Sequence, residues 1–146
     1  MVILFSVGLI AFVCSLAAAF AVRAYVHTAV PLVGSFFGFE PVQNSGIAFS
    51  VHFPFLIQTL LIAFALILIT FTGIRSATNR LQQVGFGLII GGALGNVVDR
   101  IIHGSVTDFI QVGSFYLFNV ADSCITMGVV VLLTEVAVAR WKGWRA

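Results

Sequence analysis

The sequence predicts an all-α membrane protein of four transmembrane helices with a small outward-facing β-rich cradle at the membrane surface. Three observations lead there. Hydrophobic residues make up 60% of the chain and charged residues only 8%, with a mean hydropathy of +1.14, whereas soluble domains carry about a quarter charged residues. Apolar runs of membrane-crossing length recur four times, and two of the connections between them are rich in aromatic and β-branched residues. A hydrocarbon core about 30 Å thick takes roughly 20 helical residues. The 146 residues therefore hold four spans and short connections, and residues 1–146 read as a single domain.

The first run, Val2 to Val22, is too long for a signal-peptide core and lacks a basic leader, so Ala17-Ala18-Ala19 only imitates a cleavage site and a retained span is expected. The second runs from about Phe53 to Ile74, with Pro54 suited to a first helical turn; the third runs from about Val84 to Ile102 and the fourth from about Ala121 to Ala139. Arg75 and Arg80 lie between spans two and three, and Arg140, Lys142 and Arg145 follow span four, which makes those regions cytoplasmic by the positive-inside rule. Both termini are then inside. The connections from Arg23 to His52 and from His103 to Phe118 face outward, with Arg23 a mild exception.

The first outer connection reads Phe36-Phe37-Gly38-Phe39-Glu40-Pro41-Val42-Gln43-Asn44-Ser45-Gly46-Ile47-Ala48-Phe49-Ser50, and aromatics broken by turn formers suit short strands on the membrane surface. The second, with Phe109, Ile110, Val112, Phe115, Tyr116 and Phe118 around Gly113-Ser114, has the character to pair with it. Span three carries Gly85, Gly87, Gly91, Gly92 and Gly95. Such small-xxx-small spacing lets backbones approach, and helix packing within one chain is preferred here over a dimer seam. The net charge of +2 is scattered, which sets nucleic acid aside as a partner. Cys14 and Cys124 read as small packing residues.

An ionisable side chain at membrane depth costs several kcal/mol unless paired or hydrated, so each needs a reason. Of five carboxylates, Asp99, Asp108 and Asp122 gather near the outer ends of spans three and four, while Glu40 lies in an outer connection and Glu135 toward the inner half of span four. A turn signal between Asp108 and Asp122 lets the chain return and bring the two together. Facing carboxylates in low dielectric share one proton, leaving one as base and the other as acid, the combination that hydrolysis by activated water needs. Position alone also makes Asp122 a helix N-terminal cap and Asp108 a surface-loop residue, and spacing does not decide. Asn96 and Arg100 share a helix face, with snorkelling to the interface as the competing reading of Arg100. Asp99 reads as structural, bonded to a neighbouring helix or loop. His27, His52 and His103 read as interfacial hydrogen-bonding groups without metal spacing, and no serine-hydrolase elbow or phosphate loop is present.

The blocks Gly92-Ala93-Leu94-Gly95-Asn96-Val97-Val98-Asp99-Arg100, Val106-Thr107-Asp108-Phe109 and Phe118-Asn119-Val120-Ala121-Asp122-Ser123 closely resemble the lipoprotein signal peptidases, or signal peptidase II, and Asn44-Ser45-Gly46-Ile47-Ala48-Phe49-Ser50 resembles that family's motif in the first outer connection. The resemblance implies an aspartic endopeptidase of the bacterial inner membrane, with its site near the outer, periplasmic face. Its implied reaction removes the signal peptide from prolipoproteins just before the diacylglyceryl-modified cysteine. Asp108 and Asp122 match the catalytic pair, and Asn44, Asn96, Arg100 and Asn119 match positions that orient substrate or support the pair. The resemblance further implies globomycin-like peptide inhibitors at the same site; the two-carboxylate chemistry needs no metal or organic cofactor, and a monomer among membrane lipids is expected. One departure stands out: the family commonly carries Asp-Gln and then Thr-Lys at the end of span one, where this chain reads Ala19-Phe20-Ala21-Val22-Arg23. Arg23 stands where the Lys would be, and the acidic residue has no counterpart. That departure motivates an alternative, a catalytically silent lipoprotein- or peptide-binding protein of the same fold, against which the retention of both aspartates argues. A proton-coupled transporter is a third reading, weakened because nothing polar lines the middle of spans one and two.

Overall fold

Glycines where the third helix meets the first and the fourth let it serve as the axis of this molecule. The structure is a computed structural model that describes residues 1–34, 36–46, 55–113 and 117–143; the expectations placed on Ile47 to Ser50, His52, Phe53, Pro54, Ser114 to Tyr116 and Arg145 lie outside them. In chain order the elements are α1 (Val2–Tyr25), β1 (Val30–Val33), β2 (Phe37–Asn44), α2 (Phe55–Ser76), α3 (Arg80–His103), β3 (Val106–Val112) and α4 (Val120–Gly143). The helices outrun the apolar stretches read from sequence: α1 continues to Tyr25, α3 starts at Arg80 and α4 continues beyond Ala139. Hydropathy marks what suits hydrocarbon, whereas the backbone hydrogen-bond ladder continues into polar flanks.

The glycines of α3 explain its central place. A methyl group at Gly87 would lie 2.7 Å from the Leu4 carbonyl oxygen, and one at Gly95 would lie 2.7 Å from Ser15 Cβ. At Gly91 it would strike the carbonyl oxygen of Gly8. All three contacts are with α1. Toward α4, a methyl at Gly92 would lie 2.6 Å from the Ala121 carbonyl oxygen, and one at Gly128 would lie 2.6 Å from that of Gly85. The small-residue spacing is thus taken up within the chain, as expected. With α3 in the middle, α1, α2 and α4 turn Phe5, Leu9, Phe64, Ile67, Val130 and Leu133 outward.

Three helices, Val2–Tyr25, Arg80–His103 and Val120–Trp141, have the length and apolar composition of membrane spans. The fourth expected helix is present as α2, but its apolar stretch among the described residues, Leu60–Ser76, is shorter. Asn79 caps α3 by accepting from Gln82 N at 2.9 Å and donates to Glu135 Oε1 of α4 at 2.8 Å. Gly104, with φ 75°, ends α3 in the left-handed conformation that glycine adopts without penalty.

The two connections do pair. They form an antiparallel sheet of order β1-β2-β3, with Val42 opposite Asp108, Gln43 opposite Thr107 and Asn44 opposite Val106. The register shifts between Phe39 and Val42, across Pro41, which has no N–H to give the ladder. After β3 the chain folds back: Ile110 N donates to Phe118 O at 2.8 Å and Phe118 N to Ile110 O at 3.2 Å. This return delivers Asn119 and the first turn of α4 beside Asp108.

Gly91→Ala is expected to lower stability in detergent by about 1–3 kcal/mol, since a backbone carbonyl cannot yield as a side chain can. Gly8→Ala, whose added methyl meets the Gly87 oxygen at 3.4 Å, serves as the milder control. Equal thermal midpoints for the two variants would contradict this account of the seam.

Candidate active site

Five predicted side chains form one hydrogen-bonded chain in which every amide has a fixed direction. An Asn side chain has a donor end and an acceptor end, and only its surroundings say which way it points. For Asn119 the backbone decides. Its Oδ1 accepts from Asp122 N at 2.9 Å, so Nδ2 faces the other way and donates to Asp108 Oδ1 at 2.8 Å and to Asn96 Oδ1 at 3.1 Å. That acceptance turns Asn96 in its own plane, and its Nδ2 donates to Asp122 Oδ1 at 2.8 Å. Asp122 N, Asn119 and Asn96 thereby close a ring that returns to the carboxylate of Asp122.

Asn44 repeats the device on the opposite side. Its Oδ1 accepts from Gly46 N at 2.9 Å, closing a turn of the kind short Asn side chains favour, and its Nδ2 donates to Asp108 Oδ2 at 2.9 Å. Both oxygens of Asp108 are therefore bonded to amides whose orientation a backbone N–H has set. Arg100 donates from Nη2 to Gly46 O at 2.8 Å and is 8% exposed. It does not snorkel; it braces the turn that aims Asn44.

Asp122 lies in the first turn of α4, where it shares the capping with Asn119. Its Oδ2 accepts from Asn119 N at 3.2 Å while Asn119 accepts from Asp122 N, the reciprocal arrangement of a capping box. Its other oxygen remains for Asn96. The surface-loop reading of Asp108 does not hold, since the residue lies in β3 and is 5% exposed. Burial lifts the Asp108 carboxyl above the ordinary aspartate range and the charge of Asp122 pushes the same way; the hydrogen bonds from Asn44 and Asn119 and the charge of Arg100 pull back without cancelling the rise.

Asp99 is the structural anchor expected of it. Its Oδ2 accepts from Thr107 N at 2.7 Å, its Oδ1 lies 2.8 Å from His103 Nδ1, and Arg23 Nε approaches the same oxygen at 3.6 Å. One carboxylate thus ties the end of α1, the end of α3 and the residue before Asp108. Sequence reasoning missed Arg23 and Thr107 as parts of this support, because three separate elements have to meet before either contact exists. A wider cavity beside it is lined by Arg23, His27, Val42, Gln43 and Thr107.

Comparison with known proteins follows the same lines. A family model described as signal peptidase (SPase) II matches residues 7–138. A lipoprotein signal peptidase of Dehalococcoides mccartyi is 39% identical over 73% of this chain and 69% of its own, and one of Nostoc punctiforme is 41% identical over 71% and 68%. A bacterial membrane enzyme solved at 2.3 Å superposes with a TM-score of 0.79 at 26% identity, covering 92% of this chain and 87% of that one.

Replacing Asp99 by Ala leaves the buried Thr107 N–H without its acceptor. A loss of about 1–3 kcal/mol is expected, read as a lower thermal midpoint, and β3 should lose its register beside α3. An Asp99→Ala protein as stable as wild type would show that the anchor carries no weight.

Proposed function

The chain belongs to the signal peptidase II family, and on that premise we propose that it is an aspartic endopeptidase that cuts diacylglyceryl-modified prolipoproteins just before the lipidated cysteine. Asp108 and Asp122 are the catalytic pair in this reading. The observation that supports it best is Asn119, which bonds to Asp108 through its amide nitrogen and to Asp122 through backbone and side chain. Two carboxylates held so by one residue, within reach of each other's charge, suit the sharing of a single proton.

Asp108, whose carboxyl is raised by burial, holds that proton and gives it to the carbonyl oxygen of the scissile bond. Asp122 takes a proton from the attacking water. As the tetrahedral intermediate collapses, Asp122 passes its proton to the leaving amine and Asp108 recovers its own. Asn44, Asn96, Arg100 and Asn119 keep both carboxylates in place, so the groups need little rearrangement during the reaction. The chemistry asks for no metal or organic cofactor.

The setting we propose is a monomeric, single-domain protein of four spans, α2 being the fourth, among the lipids of the bacterial inner membrane. The basic residues Arg75, Arg80 and Arg140 favour a cytoplasmic side for both termini, which puts the sheet and the aspartates at the periplasmic surface. A signal helix entering sideways would present its scissile bond at that depth, and globomycin-like peptides would compete for the same place.

With purified chain in detergent and a diacylglyceryl-modified prolipoprotein, wild type should release mature product, and Asp108→Asn and Asp122→Asn should each lose about 10²–10⁴-fold in rate. A folded wild type that leaves several lipidated substrates intact would move the assignment to a silent binding protein. The pH profile gives a second check. A raised Asp108 keeps its proton to higher pH, so the alkaline limb of kcat/KM should lie above the ordinary aspartate value of about 4; a fall already complete near that value would contradict the role given to Asp108.

A further inference from the structure

Beneath the aspartates, where α1, α3, β3 and the start of α4 meet, is a small cavity with about 10 Å³ open to the centre of a water molecule. It is lined by Ser15, Gly95, Asn96, Asp99, Thr107 and Asn119. A space of that size holds one water when two to four polar groups face it, whereas cavities that stay dry are apolar. Thr107 is only 2% exposed, and its hydroxyl Oγ1 is buried without a hydrogen-bond partner among the described residues. A hydroxyl left so is costly unless something outside the chain satisfies it.

The neighbours have capacity to spare. Asn96 Nδ2 directs one hydrogen to Asp122 Oδ1 and has a second. Ser15 donates its own hydrogen to Ala11 O at 2.7 Å, which leaves its oxygen as an acceptor. We infer that Thr107 is a positioning residue for the catalytic pair, acting through one water held in this cavity between its hydroxyl and Asn96. The inference rests on the reading of Asp108 and Asp122 as that pair. The water engages the remaining Asn96 hydrogen and fixes the plane of the amide. That plane governs the bond to Asp122 and the bond from Asn119 together.

Thr107→Val keeps the side-chain shape and removes the hydroxyl; Thr107→Ser keeps the hydroxyl. Expected in the prolipoprotein cleavage assay is a fall in kcat of about fivefold for the valine variant, with KM unchanged and no gain in thermal midpoint, and recovery of kcat in the serine variant. Valine that matches the wild-type kcat and melts higher would mean that the hydroxyl was merely unsatisfied, and the inference falls. Serine that fails to restore kcat assigns the effect to shape and also overturns it. Asp108→Asn in the same assay separates the two readings. Undiminished cleavage by Asp108→Asn removes the catalytic pair and this inference with it; an inactive Asp108→Asn beside an unchanged Thr107→Val removes the water alone.

Discussion

A carboxylate taken out of water needs hydrogen-bond donors, so a protein that buries Asp108 beside a half-buried Asp122 must surround the pair with donors pointing the right way. Lysine or arginine in direct contact would supply donors, but would also neutralise the carboxylate charge. Asparagine supplies donors without net charge. Its difficulty is that the amide can turn end for end, presenting an oxygen to an oxygen. Here a backbone N–H removes that freedom at each end of the network: Gly46 N fixes Asn44 and Asp122 N fixes Asn119. The donor-to-acceptor sense of Asn96 follows from the second of those bonds, and the residual charge is met at a distance by Arg100.

The network needs its elements at close range, which is where the helix seam enters. Asn96, Asp99 and Arg100 all lie on α3, within about two turns of Gly92 and Gly95. With methyl groups at those glycines, α1 and α4 would stand further off, and Asn96 could not reach the start of α4. Packing at the seam and polar satisfaction at the site are therefore one constraint seen at two places. The sheet completes it, because the pairing of β2 with β3 sets Asn44 near Asp108 and the short return to Phe118 sets Asn119 on the other side.

Much of this was legible in the chain itself. Four apolar runs, two aromatic connections and a glycine-rich third run foretold the helices, the paired strands and the seam. The candidate residues were legible as motif blocks, and the structure brings Asn44, Asn96, Arg100, Asp108, Asn119 and Asp122 to one place. What could not be read was division of labour. Asp122 in the capping of α4 and Asp122 in the polar cluster looked like rivals, and the geometry allows both because a carboxylate has two oxygens. Arg100 looked equally suited to snorkelling, since nothing in spacing reveals that Gly46 O would be waiting. Arg23, Asp99 and Thr107 meet only once three elements have packed, and no local pattern announces such a meeting.

The fixed direction of the amides also bears on how the protein ages. Slow hydrolysis of an asparagine side chain replaces a nitrogen donor by a second oxygen, a change of almost no volume. At most surface positions that adds a charge and little else. At Asn119 it would set a third carboxylate against Asp108, disturb the ring through Asn96, and do so at the residue that also starts α4. The damage would need no unfolding to be complete: such molecules would keep their shape while the donor from Asn119 to Asp108 was lost.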